Sequence, residues 1–145
     1  MQKKYMRMAI KQALKAGTLD EVPVGAIIVK DGKVIAKAHN LKESKGCCIY
    51  HAEIIAIQKA SKKIGDWRLN GCEMYVTLEP CAMCMGAIVS SRIDKLYFGA
   101  KDEKTGCGGS VLSLNDKFEN KVEVKGGILD TECANIIVNY FKTKR

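Results

Sequence analysis

The sequence predicts an α/β protein: a three-layer α/β/α sandwich around a five-stranded mixed sheet, carried by a single domain over residues 1–145. Three observations predict it. Segments of strand-like and helix-like apolar pattern alternate along the chain. The first two strands meet at a tight Asp31-Gly32 turn, which makes them antiparallel. The later strands are separated by helices, so their connections are parallel crossovers with helices on both faces of one sheet.

Taken in order, residues 1–17 read as an amphipathic helix with Met6, Ile10, Ala13 and Leu14 on one face and Gly17 as its stop. "VPVGAIIVKDGKVIAKAHN" holds the hairpin strands. Residues 51–64 carry Ile54, Ile57, Ala60 and Ile64 at helical spacing, and Gly65 ends the run. "CEMYVTL" is a strand, and Pro80 opens the helix "CAMCMGAIVSSR". "DKLYFGA" is a strand, "GGSVLSL" a short helix and "KVEVKGGIL" the last strand. Asp130 is placed to cap a final helix with Cys133, Ile136, Ile137 and Tyr140 as its apolar stripe.

The composition, 47% hydrophobic and 28% charged, is that of a globular chain. No apolar run reaches the roughly 20 residues of a membrane span. The basic N-terminal stretch lacks the continuous apolar core of a secretory signal. Seven cysteines without a regular spacing argue against a disulfide scaffold and for a reduced, cytoplasmic protein that assigns some thiols to a metal. The net charge is +8, with five cations and no anion in the first fifteen residues and "FKTKR" at the end. That balance favours a polyanionic partner, nucleic acid first, over a merely solvated basic surface.

In "PCAMC", Cys81 and Cys84 stand three apart in the first turn of a helix, which puts both sulfurs on one face. The positive end of the helix favours their thiolates, the metal-binding form. His51 opens another helix after a loop and supplies a third ligand of suitable type. Two sulfurs and one imidazole suit Zn2+, one per chain, with a water or hydroxide as the fourth ligand. Glu53, two residues on, leaves its helix in a different direction, where it can move protons beside that water rather than bind the ion. His-x-Glu followed by Pro-Cys-x-x-Cys is the signature of zinc deaminases. A structural zinc would need a fourth protein ligand, and Cys47, Cys48 and Cys107 are available by type.

Beyond these motifs, "EVPVGAII", "HNL", "HAEIIAI", "WRLNG", "MYVTLEPCAMCMGAI", "SRI" and "FGAKDEKTG" resemble the bacterial tRNA-specific adenosine deaminases almost end to end. The resemblance implies a cytidine deaminase-like fold. It implies conversion of adenosine to inosine at wobble position 34 of a tRNA anticodon loop by a zinc-dependent homodimer. It also implies that Asn40 contacts the target base and Asp102 the nucleic acid near it. Loop 101–106 and the last helix, with Tyr140, Phe141 and the terminal cations, would hold the anticodon loop. The chain departs from the family before the metal histidine, where Cys47-Cys48 replace the usual polar residues and Tyr50 directly precedes His51.

Each residue has a plainer reading. Asn40 can terminate a strand and Asp102 can shape a loop. Glu79 is a second candidate acid or a structural hydrogen-bond partner, and Phe141 can cap the core. A free-base deaminase of the guanine type shares the zinc residues, and an RNA-binding module with a closed zinc site would use the cations alone.

Overall fold

A computed structural model describes residues 1–144. Helix α1 (Gln2–Thr18) buries Tyr5, Met6, Ala9, Ala13 and Ala16. The expected face is therefore rotated: Leu14 is 53% exposed and Ile10 only partly covered. The reason is close packing. A Cβ at Gly25, the first residue of β1, would lie 2.0 Å from the Ala9 carbonyl oxygen, so the contact face has to be small residues.

Strands β1 (Gly25–Lys30) and β2 (Lys33–His39) form the expected hairpin. Asp31 and Gly32 have φ of 50° and 74°, the left-handed pair that matches strand twist. β3 (Cys72–Leu78) pairs antiparallel with β1 and parallel with β4 (Lys95–Ala100), and β4 pairs parallel with β5 (Glu123–Lys125). The sheet order is β2-β1-β3-β4-β5. Alternating residues feed two cores. Ile28, Met74, Val76, Leu96 and Phe98 meet α3 (Ala52–Ile64) and α4 (Ala82–Ser90) on one face. Ile27, Val29, Tyr75 and Tyr97 meet α1 and α5 (Asp130–Lys142) on the other. The three layers and the mixed sheet are as the sequence predicts.

Several details differ. Within α3 the fully buried stripe is Ala52, Ile55, Ala56 and Ala60, one residue out of step with Ile54, Ile57 and Ile64, which are half-buried. "GGSVLSL" is not a helix. It is a loop with a bridge between Gly108 and Ser113, followed by a 3₁₀ turn at Leu114–Lys117. The Gly108 and Ser110 N–H groups donate to the Glu79 carboxylate, so no helical ladder receives them. β5 is only three residues long; just beyond it Gly126 lies so close to the Phe98 ring that a Cβ would meet it at 2.3 Å, and the Gly127 and Ile128 N–H groups still reach the Gly99 and Phe98 carbonyls of β4. Leu129, not Asp130, is the N-cap of α5; Asp130 sits in its first turn. A short helix, α2 (Lys42–Lys45), interrupts the loop after β2.

β2, β3 and β4 all point their C-terminal ends the same way, as their pairings require. The three segments that leave those ends begin at Asn40, Glu79 and Lys101. They therefore gather at one edge of the sheet, in the place where open α/β sheets bind ligands.

Candidate active site

His51 is the N-cap of α3 and Cys81 the N-cap of α4, both in extended backbone, with Cys84 in the first turn of α4. The two helices lie side by side on the sheet, and their N-termini converge. His51 Nδ1 stands 3.7 Å from Cys81 Sγ and 3.5 Å from Cys84 Sγ. All three candidate ligand atoms fall within 4.8 Å of one another, and the trio could hold a metal ion. Among the described residues no fourth His, Cys, Asp or Glu joins the cluster. Cys107, 7% exposed, donates its thiol to the Thr105 carbonyl instead.

The local electrostatics prepare one of these sulfurs, that of Cys81, for ionisation. The Cys81 thiol is drawn down to about 4, first by a hydrogen bond from Cys84 and then by His51, against burial. Cys84, fully buried, goes up because it shares its proton with Cys81 and is desolvated. His51 goes up through its bond to Cys81, although burial opposes it. The helix N-termini add positive potential at the same spot.

Glu53 lies in the first turn of α3, 4% exposed, and lines a cavity of about 200 Å³ that His51 and Cys81 also line. It is not one of the three clustered side chains that could hold an ion. Burial pushes its carboxyl up to about 7, with the nearby His51 charge pulling the other way. A group with that value can hold or release a proton at neutral pH.

Asn40, 8% exposed, lines the same cavity. Its N–H reaches the Val24 carbonyl at 3.1 Å, its Nδ2 donates to the Val22 carbonyl at 3.3 Å, and its Oδ1 accepts the Lys42 N–H at 3.2 Å. Asp102 also lines it, and it shapes its own loop by accepting from the N–H groups of Lys104 and Thr105 and from the Thr105 hydroxyl. Partial burial would raise its carboxyl, but those bonds outweigh it and hold the group below its ordinary value. Glu79 faces the cavity, yet four donors occupy its oxygens: Asp102 N–H, Gly108 N–H, Ser110 N–H and the Ser110 hydroxyl. Its structural reading therefore holds over that of a second acid.

Phe141 does not reach this cavity. It lines a neighbouring groove with Tyr140, Lys144 and Glu43, and Val22 forms part of both walls. Tyr140 donates to Asp20 at 3.2 Å, and Lys144 pairs with the same carboxylate, which ties the end of α5 to the loop before β1. The terminal cation Arg145 lies outside the described residues. Tyr50 packs half-buried against the core rather than into the cavity.

Sequence reasoning missed Lys42 as a lining residue and gave Glu21 no role. Lys42 shows only as a cation two residues beyond Asn40. Nothing local marks Glu21, because its hydrogen bonds run to residues 43 and 44.

Residues 1–145 match the MafB19-like deaminase family along their whole length. A tRNA-specific adenosine deaminase of Bacillus subtilis (strain 168) is 47% identical over 143 residues, 97% of this chain and 89% of the relative. A solved structure concerned with A-to-I editing by tRNA:A34 deaminases at the wobble position of transfer RNA superposes with a TM-score of 0.87 at 40% identity, covering 92% of this chain and 98% of the other. A guanine deaminase from Nitrosomonas europaea shares the fold, with a TM-score of 0.85 over 95% of this chain and 83% of the other, at only 22% identity. With the signature residues drawn together at the strand ends and a relative this similar over nearly all of both chains, the protein belongs to the tRNA-specific adenosine deaminase family.

Proposed function

We propose that this chain hydrolyses adenosine to inosine at wobble position 34 of a tRNA, working in the cytoplasm as a zinc-dependent homodimer whose single catalytic domain spans residues 1–145. One observation carries the reading: a buried carboxylate, Glu53, shares the lining of a cavity of about 200 Å³ with His51 and Cys81 of the three-residue cluster that could hold a metal ion. That size suits one flat base, being below the roughly 300–1,000 Å³ of drug-sized sites.

The donor set fits zinc. Tetrahedral Zn2+ with sulfur at about 2.3 Å and nitrogen at about 2.0 Å separates its ligand atoms by roughly 3.6 Å. The observed nitrogen–sulfur separations are 3.5 and 3.7 Å. Held by His51, Cys81 and Cys84, the ion would supply a Lewis acid that brings the pKa of water to about 7.

The chain's own residues do the rest. Glu53 takes a proton from water and delivers it to N1 of adenine as oxygen adds at C6. It then takes the second proton from the hydroxyl added at C6 and passes it to the amino group; the C6–N bond breaks, C6=O forms and ammonia leaves. Net, water and adenosine become inosine and ammonia. A carboxyl poised near 7 accepts and returns protons with little penalty. Asn40, Lys42, Asp102 and Thr105 line the cavity that would receive the base. An anticodon loop offers a largely unpaired base, so bringing it to a recessed ion costs less than in a duplex. The cations at both ends of the chain attract its phosphates.

The homodimer reading draws on exposed apolar side chains near the start of α4 and in the loop bonded to Pro80. Met83 on α4 is 37% exposed, and Val111 and Leu112, in the loop joined to Pro80 through the Cys107 N–H, are 55% and 43% exposed. Among the described residues no helix is long and apolar enough to cross a membrane.

The test is incubation of zinc-loaded protein with an arginine tRNA carrying A34, with guanine as a parallel substrate. Inosine at position 34 is expected. Ammonia from guanine without tRNA editing would establish the free-base deaminase instead.

A further inference from the structure

Glu21 is a third buried acid of this region, after Glu53 and Glu79, with none of its surface exposed. It lies in the loop between α1 and β1. Its Oε1 accepts the Glu43 N–H at 2.9 Å, and its Oε2 accepts both the N–H and the hydroxyl of Ser44, at 2.6 and 2.5 Å. The next residues continue the connection: Val22 and Val24 carbonyls hold the Asn40 side chain and N–H. Asn40 in turn receives the Lys42 N–H, and the Leu41 N–H reaches the Tyr50 carbonyl at 3.0 Å. Segments 21–24 and 40–50 are thus one hydrogen-bonded unit. Val22, Val24, Asn40 and Lys42 from it form one wall of the cavity.

We propose that Glu21 is a positioning residue: it clamps segment 40–50 against segment 21–24, and so sets how firmly this wall holds the target base rather than how fast the base reacts. The proposal rests on the editing function proposed for this chain. Glu53 and the cluster sit on the N-termini of α3 and α4, and none of Glu21's hydrogen bonds reaches them. A carboxylate suits the task because all three of its partners are donors, and a neutral side chain in its place has to offer at least one donor to another donor or leave a partner unpaired. It also explains how the loop unusual in this chain, with Cys47, Cys48 and Tyr50, keeps a defined wall: its first turn is held from outside the loop.

The test uses full-length zinc-loaded protein and a tRNA anticodon stem-loop. Glu21→Gln keeps the shape but turns one oxygen into an amide NH2 facing donors. KM should rise about tenfold with kcat changed by less than about twofold, and zinc content should stay at one per chain. Hydrogen exchange should quicken at residues 40–50 more than at 101–110. Ser44→Ala, which removes one donor and keeps the carboxylate, should raise KM less, and the double variant should be no worse than Glu21→Gln alone. Wild-type KM in Glu21→Gln, or a loss confined to kcat, overturns the proposal. So does exchange that quickens equally in both segments, which marks a role in folding only. If the wild-type protein edits no tRNA, the functional reading fails by itself; the clamp is then decided by exchange, and unchanged protection at 40–50 in both variants overturns it.

Discussion

Glu79 and Ser110, 31 residues apart in sequence, are joined by two hydrogen bonds, the Ser110 N–H to one carboxylate oxygen at 3.0 Å and the hydroxyl to the other at 2.5 Å. Together with the N–H groups of Asp102 and Gly108, they make this 3% exposed carboxylate the organiser of loop 101–110. Glu79→Gln sets an amide NH2 against donors in a buried site. We expect a stability loss of about 2–3 kcal/mol, read from urea unfolding with zinc present. A loss below about 0.5 kcal/mol would show that the loop is held elsewhere.

Glu53 is assigned the proton and not the metal. Glu53→Ala should retain one zinc per chain by elemental analysis and lose activity by at least about 10²- to 10⁴-fold in an inosine assay. Loss of zinc together with activity would place Glu53 among the ligands.

Metal binding and folding should be linked, because three ligands from two helices converge only in the folded chain. A chelator should lower Tm, corresponding to about 4 kcal/mol if zinc is at a thousandfold its dissociation constant. Cys84→Ser should start near the chelated Tm and respond little to chelator. A wild-type Tm indifferent to chelation would count against the site.

RNA affinity should fall linearly with salt on logarithmic axes. Every phosphate that the protein no longer neutralises should reduce the slope by about 0.7 for single-stranded RNA. Replacing Lys142 and Lys144 together by Gln should flatten the slope by no more than about 1.4. An unchanged slope and affinity would detach the end of α5 from the RNA.

Glu21 gives a pH signature. Burial opposes its ionisation, but the hydrogen bonds from Ser44 and Glu43 and the charge of His39 outweigh it and hold the carboxyl below its ordinary 4.5. A depressed folded value means stabilisation that is present above the unfolded value and lost as pH falls through the folded one. The Tm difference between wild type and Glu21→Gln should be greatest at about pH 6–7 and shrink below about 4.5. A difference that persists undiminished at pH 3 would mean the clamp does not depend on charge.

The sequence by itself determined the order of the five strands and of the four longer helices, the hairpin at Asp31-Gly32, and the residue types of the candidate metal cluster with Glu53 beside it. Those signals are local: a turn pair with positive φ, apolar periods, and ligands at helix starts spaced to share a face. Tertiary structure decided the rest. It set the strand order, and it brought His51 to Cys81 and Cys84 across 30 and 33 residues. It made Glu21 and Glu79 the supports of two cavity walls and kept "GGSVLSL" out of a helix. A buried carboxylate is settled by whichever donors folding places around it, and donors 22 to 31 residues distant leave no mark in the sequence next to it.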